Sequence, residues 1–176
     1  MKNQFLRIVD NEIIVPGLKK SYTMIQISDT HLIVTDENST LEQKQKAMEQ
    51  EAAWLEVKKD FAELFGEPYS ESHEISTVQC FEKVMDFVKE QKPDLLILSG
   101  DVLNFEHEEG FRYFEQYMKG YLGEWLFVPG NHDNDRMLQR LGIDGIQGRE
   151  LEGVRVIGLD DSKMTLSETQ LEQLKE

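Results

Sequence analysis

Three short segments of this 176-residue chain collect side chains that can bind metal ions or transfer protons. They lie at 28–31, 99–104 and 128–133, and they contain Asp29, His31, Asp101, Asn104, Asn131, His132 and Asp133. Carboxylate and amide oxygens combined with imidazole nitrogens suit Mn, Fe or Zn rather than Cu(I) or an iron–sulfur cluster. The residue types therefore predict a metal site of mixed oxygen and nitrogen donors.

The spacing within the segments supports a shared site. Asp29 and His31 are two residues apart, so in an extended chain both side chains point to the same side. Asp101 follows Gly100, whose missing side chain allows a turn that brings the carboxylate inward. Each segment alone also fits a turn, an Asx-stabilised loop or a helix N-cap. Their occurrence together, each at the end of a strand, favours the metal site.

The elements that must position these segments alternate between strand and helix. Strands are predicted at 22–28, 95–98 and 125–128, directly before the three polar segments. Amphipathic helices are predicted at 40–65, 73–91 and 108–119. This alternation predicts an α/β fold with a largely parallel sheet, in which functional groups gather beyond the carboxyl ends of the strands.

The remaining elements are shorter. Strands are predicted at 5–9, 12–15 and 154–159, and helices at 135–141 and from Ser167 onward, where Ser167 and Gln170 form a capping box. The long helix has two candidate capping boxes, Thr40 with Gln43 and Ser39 with Glu42. It belongs to an acidic segment, 35–72, which we interpret as a solvated helical insertion; a lid, a dimer contact and plain decoration all fit it.

Charge and cysteine content exclude several classes of protein. Thirty-four acidic and nineteen basic residues give a net charge of −15, which repels nucleic-acid backbones and anionic membranes. A site for phosphate esters is still compatible, because a bound metal ion reverses the local charge. Cys80 is the single cysteine, and no secretory signal or membrane-spanning apolar run is found, so we expect a cytoplasmic protein.

The three segments together resemble the calcineurin-like metallophosphoesterase superfamily, whose motifs are DxH, GDxx(D/N) and GNH(D/E). They read here Asp29-Thr30-His31, Gly100-Asp101-Val102-Leu103-Asn104 and Gly130-Asn131-His132-Asp133. The segment 156–171 is similar to the branch that contains cyclic-nucleotide phosphodiesterases. The resemblance implies an αββα sandwich, of which this chain would hold the N-terminal sheet with its flanking helices. It also implies metal-dependent hydrolysis of phosphoester bonds, in particular phosphodiester bonds, by a metal-activated water.

The resemblance implies a dinuclear centre of Mn, Fe or Zn ions. Asp29 and His31 would bind the first metal, Asp101 would bridge both, and Asn131 would bind the second.

It further implies that His132 contacts the phosphate and helps to protonate the leaving oxygen, with Asp133 orienting it. Asn104 would contact the substrate or hold the metal ligands in position from outside the coordination sphere.

The family pattern continues with another histidine and a GHxH motif, and neither follows His132 here. His73 and His107 precede it and are predicted to be ordinary surface histidines. We therefore expect residues 1–176 to form one C-terminally truncated domain that binds one metal ion by itself. Association into a homo-oligomer is one way to cover the apolar surface left by truncation.

Two functions follow. The first is hydrolysis of a small phosphoester, such as a cyclic nucleotide. The second is a non-catalytic relative that binds a metal or a phosphate ligand and serves as an interaction module.

Overall fold

A parallel three-stranded sheet organises the protein. The computed structural model describes residues 8–69, 74–105, 107–133, 135–143 and 147–175. Strands β1 (Met24–Ile27), β2 (Leu95–Ser99) and β3 (Trp125–Val128) pair in parallel in the order β1-β2-β3. The helices are α1 (Leu41–Leu64), α2 (Thr77–Gln91), α3 (Glu108–Lys119), α4 (Asp135–Arg140) and α5 (Glu168–Gln173). The predicted α/β class and the three strands before the polar segments are confirmed.

The hydrophobic core lies where α2 and α3 pack on one face of the sheet. Alternate strand residues point to the same face, so Leu96 and Leu98 of β2 reach this core together. The helices contribute Phe81, Met85, Val88, Phe111, Phe114 and Met118, all of them buried. Full burial of each such side chain stabilises the fold by about 1.5–3 kcal/mol, so this face anchors the strands.

A second, antiparallel sheet lies beside β3. It consists of β4 (Gln147–Leu151) and β5 (Val154–Gly158). Gly158 packs against β3 so closely that a Cβ atom there would lie 2.6 Å from Val128 Cγ2. The strand predicted at 154–159 therefore forms, but it pairs with β4 and not with the parallel sheet. Sequence patterning missed β4 because its residues are mostly polar.

The N-terminal segment differs from the prediction. No strand occurs in described residues 8–15. The strand predicted at 12–15 is therefore wrong, and so is the part of the strand predicted at 5–9 that falls on residues 8 and 9. Residues 5–7 lie outside the described residues. Ile13 and Ile14 are 85% and 82% exposed, which shows that β-rich composition without a partner strand is not enough to form a sheet.

The predicted helix starts are largely confirmed by their caps. Thr40 and Gln43 form the capping box of α1, while the Ser39 hydroxyl hydrogen-bonds Asp36. The box predicted at Ser167 is also present. Helix α2 begins at Thr77 behind an unforeseen capping box at Ser76, four residues later than predicted. No helix in the described ranges is long and apolar enough to cross a membrane.

Candidate metal centre

The backbone beyond β1 and β2 brings the first two polar segments together. Past the strand ends the chains stay paired, with Asp29 N donating to Gly100 O at 3.0 Å and His31 N donating to Asp101 O at 2.9 Å. Leu32 N continues the pairing by donating to Val102 O at 2.8 Å. Main-chain hydrogen bonds between the two segments therefore fix the backbone that carries Asp29, His31 and Asp101.

Left-handed backbone turns carry the three side chains whose ligand atoms converge. Asp29, His31 and Asp101 have φ angles of 54°, 41° and 51°, a region that costs a non-glycine residue about 1–3 kcal/mol. The expectation that Asp29 and His31 align because the chain is extended is thus wrong, although the two side chains do converge. Gly100, at φ 88°, makes the turn expected of it. Strain at three neighbouring residues that carry donor groups is typical of a functional site.

These three side chains form a compact donor group. Asp29, His31 and Asp101 each offer one ligand atom, and these atoms lie within 4.8 Å of one another. His31 Nε2 is 3.8 Å from Asp29 Oδ1 and 3.9 Å from Asp101 Oδ2. Among the described residues, no lysine or arginine forms an ion pair with either carboxylate, so their negative charges are not neutralised by protein. Two carboxylates and one imidazole fit a divalent cation.

The neutral form of His31, which is the form that binds metals, is favoured by its burial. Burial lowers the pKa of His31, although the nearby Asp101 carboxylate opposes that shift. A neutral imidazole offers a lone pair to an ion, whereas a protonated one repels it. Its Nδ1 atom is buried and has no hydrogen-bond partner within the described part of the chain.

The loop after β3 is locked to the loop after β2 by Asp133. Its carboxylate accepts hydrogen bonds from Gly130 N at 2.9 Å, Val102 N at 3.0 Å and Leu103 N at 3.5 Å. Burial raises the pKa of Asp133, although the three backbone donors act in the opposite direction. Gly130 itself lies so close to Asp101 that a Cβ atom would overlap its carboxylate.

His132 is oriented by the backbone. Its amide donates to Asp101 Oδ1 at 2.8 Å, and its Nδ1 lies 3.0 Å from Asn104 O. A carbonyl oxygen can only accept, so the hydrogen bond places a proton on Nδ1. The backbone carbonyl of Asn104 therefore orients this imidazole, a role that the resemblance assigned to Asp133. The rings of His132 and His31 meet edge to face with centroids 5.0 Å apart.

Asn131 lines a cavity in the loop after β3. Its side chain is exposed, and the cavity of about 230 Å³ continues from this loop toward Asp160, Ser162 and Lys163. Asp29, His31 and Asp101 do not line the cavity, which adjoins their cluster through the loop that carries Asn131 and Asp133.

Helix α1 adds two residues that sequence reasoning did not assign to the site. Trp54 Nε1 donates to Asn104 Oδ1 at 3.0 Å, and Asn104 Nδ2 donates to Gln50 Oε1 at 2.8 Å. The Trp54 ring also lies over His31, with centroids 4.5 Å apart. The sequence signal that could have revealed this contact is a tryptophan within a charged helix. A half-buried indole N–H group needs a hydrogen-bond partner.

His107 is not the surface residue that was predicted. It is 8% exposed, and its ring nitrogens lie 2.7 Å from the carbonyl oxygens of Phe105 and Val34. It packs so tightly on Gly110 that a Cβ there would lie 2.5 Å from His107 Cε1. His107 thus fastens the start of α3 to the chain after β1. His73 lies outside the described residues.

Comparison with known families agrees with this geometry. The model of the calcineurin-like phosphoesterase family matches residues 22–165, which include all three polar segments. The chain belongs to this family, whose members in general bind divalent metals and hydrolyse phosphoesters. A search of curated proteins found no match.

Proposed function

We propose that this protein hydrolyses phosphodiesters in a reaction that depends on manganese or a similar divalent cation. The observation that carries the proposal is the group of Asp29, His31 and Asp101, whose ligand atoms lie within 4.8 Å at the carboxyl edge of the sheet. Family membership supplies the reaction class, and this group supplies a place for the ion.

The protein's own residues have distinct roles in this proposal. Asp29, His31 and Asp101 would hold a cation, and Asn131 would offer an amide oxygen to a second one beside the shared Asp101. A bound cation of this kind lowers the pKa of water and stabilises negative charge on phosphoryl oxygens.

His132 is the proposed general acid. Because Asn104 O holds the Nδ1 proton, a proton on Nε2 is the one that can pass to the leaving oxygen. A 2.8 Å hydrogen bond from the His132 backbone amide to Asp101 Oδ1 ties this residue to the loop after β2. Asp133 supports this arrangement indirectly, since it holds the backbone of the loop.

The cavity beside Asn131 is the proposed place for the rest of the substrate. Lys163 supplies a positive charge in its lining, which also contains the carboxylates of Asp133 and Asp160. The proposed substrate is a small phosphodiester, such as a cyclic nucleotide, whose anionic group would contact Lys163. Replacing Lys163 with Met should therefore raise KM more than it lowers kcat.

The test is hydrolysis of a nitrophenyl phosphodiester and of the monoester with added Mn²⁺. We expect turnover of the diester that requires Mn²⁺ and falls by about 100-fold or more in Asp101→Asn. Asp86→Asn is the matched control, because this carboxylate is 71% exposed on α2. Equal turnover in Asp101→Asn and the wild type would contradict the proposal.

A non-catalytic metal-binding or phosphate-binding module is the second candidate. It is favoured by the single group of three His, Cys, Asp or Glu donors found in the described ranges. Mn²⁺ binding that is lost in Asp101→Asn, with no turnover of either ester, would support this function over the first.

A further inference from the structure

We propose that Trp54 and Gln50 of α1 are positioning residues for the metal centre, acting through Asn104 and His31. This inference rests on the proposed function and deepens it. It gives the acidic insertion a role in the site, whereas sequence reasoning left lid, dimer contact and decoration open.

Trp54 and Gln50 hold both ends of one amide group. The indole N–H donates to Asn104 Oδ1 at 3.0 Å, and Gln50 Oε1 accepts from Asn104 Nδ2 at 2.8 Å. An amide whose oxygen and nitrogen are both bonded to one rigid helix has a single orientation. Helix α1 therefore fixes the side chain at the last position of the second motif.

The same residue controls the proposed general acid. Asn104 O accepts from His132 Nδ1 at 3.0 Å, so the position of the Asn104 backbone sets the direction of the His132 ring. Moving Asn104 would change the direction of the His132 ring, which meets the His31 ring edge to face at a centroid distance of 5.0 Å. The path from α1 to His132 thus runs through one residue.

Trp54 also acts on a proposed metal ligand directly. Its ring covers His31 at a centroid distance of 4.5 Å, and the His31 side chain is only 9% exposed. This contact limits the ring positions of His31 and keeps water from that face of the imidazole.

Contacts outside the site set the rotation of α1 about its axis. Glu51 accepts from Thr77 N at 3.0 Å and from Thr77 Oγ1 at 2.8 Å, and Lys58 Nζ donates to Ile75 O at 2.6 Å. These bonds tie α1 to the start of α2 on the face that also carries Trp54. The helix is therefore held in the rotation that points the indole at Asn104.

The experiment compares Trp54→Phe, Trp54→Leu and Gln50→Leu with the wild type. Phe61→Leu is the matched control, an aromatic residue of the same helix that is 52% exposed. The measurements are Mn²⁺ affinity from the electron paramagnetic resonance of free Mn²⁺, kcat and KM for the nitrophenyl diester, and the NMR signal of the His132 Nδ1 proton. Circular dichroism confirms that each variant is folded.

Trp54→Phe and Gln50→Leu remove hydrogen bonds to Asn104 but leave an aromatic ring on His31. We expect kcat to fall by about 10-fold or more with little change in KM or Mn²⁺ affinity, and the His132 signal to broaden. Trp54→Leu also removes the ring, so it should weaken Mn²⁺ binding by about 10-fold in addition. Phe61→Leu should match the wild type in every measurement.

Unchanged kcat and an unchanged His132 signal in Trp54→Phe and Gln50→Leu would overturn the inference while leaving the proposed function intact. Absence of turnover in the wild type would instead overturn the proposed function. In that case the His132 signal and the Mn²⁺ affinity of Trp54→Leu still test the inference. If both are unchanged from the wild type, the inference is overturned too.

Discussion

The loops after β2 and β3 and the helix α1 reach the same site by different means. The loops are interlocked by carboxylates that accept from backbone amides of the opposite loop, Asp133 from Val102 N and Asp101 from His132 N. In the part of the chain that the structure describes, helix α1 contacts the site through side chains, chiefly Trp54 and Gln50. Hydrogen bonds to backbone amides tie the site to the fold of the loops, whereas the bonds between side chains on α1 and Asn104 can be removed without unfolding the protein.

The two regions also differ in burial. Val102 and Leu103, which donate to Asp133, are each 1% exposed. On α1, Ala47 alone is buried among the described residues, and Leu41 and Met48 are 87% and 73% exposed. Substitutions in the loops should therefore affect stability strongly, and most substitutions on α1 should not.

Asp133→Ala should have the largest effect on stability. It leaves the buried amides of Val102 and Leu103 without their acceptor, which should cost about 3 kcal/mol in the free energy of unfolding by urea. Asp161→Ala, at an exposed carboxylate, is the control and should change this free energy by less than about 0.5 kcal/mol. Similar losses in both variants would contradict the locking role of Asp133.

Gly130→Ala should come next. The added Cβ would overlap the Asp101 carboxylate, so the loops must separate at a cost of about 2 kcal/mol. Mn²⁺ binding, measured by calorimetry, should be lost together with this stability. Gly148→Ala is the control, because its Cβ would meet nothing nearer than Val156 O at 3.7 Å. Retention of full Mn²⁺ affinity in Gly130→Ala would show that Asp101 does not need this close approach.

Thr40→Ala tests the helix without touching the site. Loss of the hydroxyl that accepts from Gln43 N should cost about 1 kcal/mol in thermal or urea unfolding, and Thr40→Ser should restore most of it. Mn²⁺ affinity should stay within about 2-fold of the wild type, since the contacts of Trp54 lie several turns along the helix. A large drop in affinity would mean that the site depends on the whole helix.

Met48→Gln should have the smallest effect. Because Met48 is 73% exposed, we expect a change of less than about 0.5 kcal/mol in the free energy of unfolding. Ala47→Gln is the contrasting variant on the same helix, since Ala47 is 6% exposed and a larger side chain there should cost about 1–3 kcal/mol. Equal effects at the two positions would show that the outer face of α1 is covered in solution.

Sequence patterns predicted the local elements well where hydrophobic periodicity was strong. The bounds of α3 and β3 agree with the prediction, as do the capping boxes at Thr40 and Ser167. The prediction failed where a strand depends on its partner: β4 is polar yet paired, and Ile13 and Ile14 are apolar yet unpaired. Strand formation requires hydrogen bonds to another segment, which local composition does not encode.

Sequence alone identified the candidate site residues, because side-chain type and motif order are local properties. Asp29, His31 and Asp101 were named from their types, and the structure brings their ligand atoms together. Tertiary structure alone decided how they converge, through left-handed turns rather than an extended chain. It also decided that Asn104 O orients His132 and that Trp54 covers His31, since these contacts join residues 28 and 23 positions apart in the chain. Such contacts depend on how the loops and α1 pack, which no single segment specifies.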